Sequence, residues 1–247
     1  MTEPTGPRTF RLAYVPGVTP AKWVRIWGER VTDVRLELVP TAAPGSDAVL
    51  RAGDADAGLL RLPVDRTGLS VIPLYAETPV VVVPKDHVFA AVDEVGLDDL
   101  ADELVLHPLD DLLEWNVLPG TPAKERPATT ADAVELVAAG VGVVIVPQSL
   151  ARLHHRRDLT YRPLRGAPES NIGLAWLEDA TTDVVEEFIG IVRGRTVNSS
   201  RGRTTAPAEP ARKPAKKPAP QRGGASGKSG KPAKRTAPPA RGRRKRR

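Results

Sequence analysis

Residues Thr129–Pro147, TTADAVELVAAGVGVVIVP, say more about this 247-residue chain than any other segment. Thr129 or Thr130 suits a helix N-cap, where a side-chain oxygen accepts an orphan backbone N–H. Asp132 and Glu135 favour the positive end of the helix dipole. Val134, Val137 and Ala138 recur at helical spacing and face a core. Gly140 reads as the helix stop, and Val141–Val146 as a buried strand ending at Pro147. None of these side chains is a nucleophile or a metal ligand. A helix N-terminus beside two hydroxyls is an expected receptor for an anion or carboxylate.

Around this unit, strand and helix patterns alternate, which predicts an open α/β sheet. Strands are expected at Phe10–Val15, Val34–Val39, Ala57–Leu62, Leu69–Leu74, Pro79–Val83, Glu103–His107, Leu159–Leu164 and Ile172–Leu177. Helices are expected from Thr19, over Ser46–Ala52 and Leu97–Ala101, and from Thr182 to Arg193, with Pro108–Arg126 irregular and partly helical.

The segment Thr129–Pro147 resembles the capped helix and "LVAAGxGxxxxP" strand of the effector-binding domain of LysR-type bacterial transcription regulators. FRLAYVPGV (Phe10–Val18) is similar to that family's first strand and pocket loop, and VRLELVPT (Val34–Thr41) to its second strand. GDADAGLLRLP (Gly53–Pro63) is similar to its "G-x-hydrophobic-D-A-G" strand, and ETPVVVVPKDHVFA (Glu77–Ala90) to its crossover strand and turn. The resemblance covers about Phe10 to Leu177, with five motifs in the family's order. It departs at the N-terminus, where Phe10 already reads as first strand, so the family's winged helix-turn-helix is expected to be missing.

The resemblance implies two Rossmann-like lobes joined by two crossovers, near Thr78 and Gln148, in the manner of a type 2 periplasmic-binding protein. Residues 9–77 and 149–195 would form lobe one, and 78–148 lobe two. It also implies a ligand cleft walled by Gly17, Val18, Thr19, Thr41, Arg61, His107, Pro108, Thr129 and Thr130. The physical case is that Thr19 and Thr129/Thr130 mark helix N-termini while Arg61 offers a forked cation to a carboxylate. The competing reading makes the threonines plain caps and Arg61 a surface ion-pair partner. Trp23 and Trp27, one turn apart on the first helix, read either as core or as a homodimer contact, since the family dimerises through this helix.

Composition divides the chain. Val197 is the last large apolar residue, so 198–247 has nothing to bury and is expected to be a disordered tail. Residues 199–247 hold 17 Lys and Arg against Glu209 alone, leaving 19 basic and 29 acidic residues before them. An acidic body of net −10 thus carries a basic arm of net +16. Lys213, Lys216, Lys217, Lys231, Lys234, Arg235, Arg243, Arg244, Lys245, Arg246 and Arg247 can follow a phosphate chain, and no aromatic interleaves to stack on bases. Non-specific nucleic-acid binding is the expectation. A solvated arm, or one folded back on the acidic body, is the alternative.

There is no cysteine, so disulfides and thiolate chemistry are excluded. No Gly-x-Ser-x-Gly elbow, phosphate loop or His-x-x-x-His spacing occurs, and Asp110, Asp111 and Glu114 read as an exposed acidic turn. The chain is therefore read as non-enzymatic, without cofactor or metal, and, lacking an apolar leader or long apolar run, as cytoplasmic. The functional expectation is a LysR-like sensor of a small anionic or polar metabolite; the alternative is a non-sensing scaffold with a vestigial cleft, tethered to DNA, RNA or ribosomes by its tail.

Overall fold

The computed structural model describes residues 8–195. The tail at 198–247, with the basic residues named above, lies outside the described residues. Two sheets form two lobes. The first contains β1 (Arg8–Tyr14), β2 (Val34–Pro40), β3 (Ala57–Leu62), β4 (Leu69–Glu77) and β11 (Ser170–Leu177), in the order β2-β1-β3-β11-β4. The second contains β5 (Pro79–Pro84), β6 (Val95–Gly96), β7 (Leu104–Leu106), β8 (Thr121–Pro122), β9 (Val143–Pro147) and β10 (Leu159–Arg165), in the order β6-β10-β5-β9-β7-β8.

Sequence periodicity explains the packing. In β5 and β9 nearly every residue is apolar because both faces of the sheet are covered. Val80, Val82, Val144 and Val146 enter one core cluster, while Val81, Val83, Val143 and Ile145 enter another. The helix α3 (Thr130–Ala138) supplies Ala133, Val134 and Val137 to the first of these. Lobe one is closed by α1 (Ala21–Arg30) and α5 (Asp183–Val192), which pack on each other. The short α2 (Ala48–Arg51) precedes β3, and α4 (Gln148–Leu153) follows β9.

Several expectations are corrected. β10 belongs to lobe two, not lobe one: it pairs antiparallel with β5 from Leu159↔Pro84 to Pro163↔Val80. An apolar β5 needs a hydrogen-bonding partner on each edge, and β9 covers only one of them. Leu150, Ala151 and Leu159 bury into a lobe-two cluster, so α4 goes with β10. The second return to lobe one therefore lies between Arg165 and Ser170 rather than near Gln148. β9 starts at Val143, and Val141 is 44% exposed. Gly142 marks the transition: a Cβ there would stand 2.3 Å from the Leu104 carbonyl oxygen, so only glycine lets β7 come this close. The second helix is shorter than Ser46–Ala52, and the Ser46 hydroxyl is buried without a hydrogen-bond partner instead of capping it. Segment 108–126 contains no α-helix.

Trp27 is a core residue, which removes it from the expected dimer contact. Only 2% exposed, it stacks on Phe10 at 4.9 Å, meets Phe188 at 5.9 Å and donates its Nε1–H to the Val34 carbonyl at 2.9 Å. Trp23, half-buried, packs against the same cluster.

Candidate functional site

The loop after β1 runs through Pro16, Gly17, Val18 and Thr19 into α1, and Thr41 follows β2. The Thr41 N–H donates to the Tyr14 carbonyl at 3.0 Å, holding the two loops side by side. These residues line a cavity of about 520 Å³. Its opposite wall is lobe two's α4, through Ser149, Arg152 and Leu153. Gly17 has φ +87°, and a Cβ on it would stand 2.4 Å from Ser149 Oγ. The left-handed backbone and the close approach both demand glycine here.

Behind this wall lies a buried polar network at the first crossover. Arg61 Nη1 donates to Glu77 Oε2 at 2.5 Å and to Ser170 Oγ at 2.7 Å. Its Nη2 donates to the Pro16 carbonyl and to Ser149 Oγ, each at 3.1 Å. The Ser149 hydroxyl in turn donates to Glu77 Oε2 at 2.9 Å. Arg61 and Glu77 side chains are only 5% and 9% exposed, so each charge depends on the other for compensation. Ser149 belongs to lobe two and the other members to lobe one, so its two hydrogen bonds join the lobes. A third tie is the Gln148 N–H, which donates to the Thr78 carbonyl at 3.0 Å.

Gly17, Val18, Thr19 and Thr41 thus come together in one cavity as the sequence implied. Arg61 does not line it: the fork offered to a ligand carboxylate is closed on Glu77. His107, Pro108, Thr129 and Thr130 gather instead around the start of α3. Arg126 donates to the carbonyls of His107 and Pro108 at 2.8 and 2.6 Å. Thr129 forms a capping box with Asp132, and the Thr130 hydroxyl donates to Asp110 Oδ1 at 2.9 Å. The anion receptor expected at this N-terminus therefore already faces two of the chain's own carboxylates.

Asp111 is not an exposed acidic residue. Its side chain is 7% exposed, with His107 Nε2 at 3.0 Å and the Trp115 Nε1–H donating to it at 3.1 Å. Burial pushes its carboxyl above the usual aspartate range, opposed by the Leu113 N–H and by His107. Among the described residues no cluster of three or more metal-ligating side chains occurs, and no helix is long and apolar enough to cross a membrane.

Ser149, Arg152 and Leu153 were not singled out from the sequence. The usable signal was their spacing: residues three apart on a helix share a face, and this helix begins directly after the crossover-side strand.

The LysR substrate binding domain profile matches residues 7–196. The chain belongs to this family. A probable hydrogen peroxide-inducible genes activator of Mycobacterium avium is 30% identical over 205 residues, 77% of this chain and 66% of that protein. The Hca operon transcriptional activator HcaR of Escherichia coli K12 is 26% identical over 178 residues, 67% of this chain and 60% of that protein. The chain thus spans slightly under two thirds of these relatives, which are named as regulators of transcription rather than enzymes. Among solved structures, the BenM effector binding domain with its effector benzoate superposes with a TM-score of 0.63 at 21% identity, covering 76% of this chain and 91% of that one. The oxidized form of OxyR superposes with a TM-score of 0.62 at 20% identity, covering 75% and 92%. These likenesses establish the periplasmic-binding-protein-like fold of the LysR effector-binding domain.

Proposed function

We propose that this LysR-family domain senses a small anionic or polar metabolite held in the cavity between the β1 and β2 loops and α4, and works in a homodimeric regulator. The supporting observation is that this cavity is walled by both lobes beside the only side-chain network described between them, so an occupant touches the joint whose geometry it would bias. A ligand that prefers one interlobe angle shifts the population toward it. The basic residues from Lys213 to Arg247 are proposed to grip nucleic acid through phosphates, without sequence readout.

Peroxide sensing through a cysteine is disfavoured: the 247-residue chain includes no cysteine for a peroxide to oxidise. Calorimetry of the full chain against a metabolite panel tests the sensor reading. One saturating compound supports it, and a uniformly flat panel overturns it. In parallel, binding to random-sequence duplex should weaken with salt at a log–log slope of about −5 if about six phosphates are contacted. Truncation after Val197 should abolish that binding, and retention would sink the tail's assigned role.

A further inference from the structure

The electrical character of the cavity is set by one side chain. No carboxylate lines it, and Arg61, the nearer cation in sequence-based expectation, is neutralised by Glu77 and turned into the crossover. Arg152 does line it. Among the described residues its hydrogen bond is a long one from Nε to the Tyr161 hydroxyl at 3.3 Å, which leaves the two Nη groups for another acceptor. Ser149 sits three residues earlier on α4 and lines the same cavity, so its hydroxyl and the Arg152 guanidinium share a helix face. Tyr14, Val18 and Leu153 add apolar surface.

The geometry points to Ser149 and Arg152 as a receptor for a monocarboxylate with an apolar body, whose binding takes the Ser149 hydroxyl away from Glu77. This rests on the reading of the cavity as the effector site and deepens it. One guanidinium matches one carboxylate, bidentately, and a single uncompensated positive charge suits a monoanion better than a dianionic phosphate. The coupling follows from valence. A serine hydroxyl has one proton, and Ser149 gives it to Glu77 Oε2 while accepting from Arg61. A carboxylate at Arg152 competes for that proton. Arg61 continues to neutralise Glu77, so the exchange removes one tie between the lobes without stranding a buried charge.

The test uses the full-length protein and three acids, propionate, hexanoate and phenylacetate, each beside its uncharged amide, at constant ionic strength. Calorimetry gives affinities, and backbone amide NMR shifts locate binding. The two larger acids should saturate, shift Gly17, Thr41 and the Glu77–Thr78 segment, and bind at least about tenfold tighter than their amides. Arg152→Gln should erase that preference without unfolding the domain, since Arg152 is exposed. Ser149→Ala should keep the preference but lose the shifts at Glu77–Thr78. Equal binding of acids and amides, or a preference unchanged in Arg152→Gln, overturns the receptor while the cavity remains a ligand site. Absence of saturation by every acid also overturns it. Failure of the sensor reading itself is registered separately, by the flat metabolite panel.

Discussion

Two polar clusters, around Arg61 and around Thr130, bind carboxylates of the chain itself, yet one spans the two lobes and the other stays within lobe two. At the α3 terminus, Thr129 meets Asp132 three residues away and Thr130 meets Asp110 twenty residues away. Such bonds finish a helix end: Thr129 and Asp132 are exposed, so water can replace their bond, and Thr130, though buried, carries no charge. At the crossover, Arg61 collects Pro16, Glu77, Ser149 and Ser170 across sequence separations of up to 109 residues. There the charges are buried, so the same chemistry carries a larger penalty when broken, and it bears on how the lobes meet.

The largest expected effect is therefore at Arg61. Arg61→Ala leaves the Glu77 carboxylate buried and unpaired, and should cost about 3–5 kcal/mol by urea denaturation. Replacing both partners, as Arg61→Met with Glu77→Leu, should recover most of that loss, because it removes the stranded charge along with the pair. A single-variant cost below about 1 kcal/mol, the level of an exposed ion pair, would place the network on the surface and dissolve the contrast.

Gly17→Ala comes next. It combines a left-handed backbone penalty of roughly 1–2 kcal/mol with a clash against Ser149 Oγ. The clash pushes on the interlobe bonds, so small-angle scattering should show a changed envelope as well as lower stability. Lower stability with an unchanged envelope would mean that Ser149 simply rotates aside.

The smallest effect concerns Asp111, within lobe two. Its carboxyl is raised in the folded state by burial, so the folded protein holds the proton more tightly than the unfolded chain. The contribution to stability is full below the unfolded aspartate pKa and is lost as pH rises through the higher folded value. Stability of wild type relative to Asp111→Asn should therefore decline with rising pH across the acid range. A rise over the same window would mean that His107 and the backbone donors outweigh desolvation. The interlobe envelope should not change in either case.

Much of this fold was legible in the chain itself, for a local reason. A capping threonine, the apolar period of α3, the stop at Gly140 (φ +75°) and the apolar run of β9 act over a few residues, so neighbours in sequence determine them. The same holds for β3, found at the expected Ala57–Leu62, and for Thr182, which caps α5. The order of such units sufficed to indicate the family and its two-lobed plan. Only the tertiary structure decided that β10 joins lobe two, that Trp27 lies inside the core, that Arg61 closes on Glu77, and that Ser149 and Arg152 face the pocket loop. Each of those depends on partners far away in sequence, and buried charges and sheet edges take whichever partner the folded geometry brings within hydrogen-bonding distance.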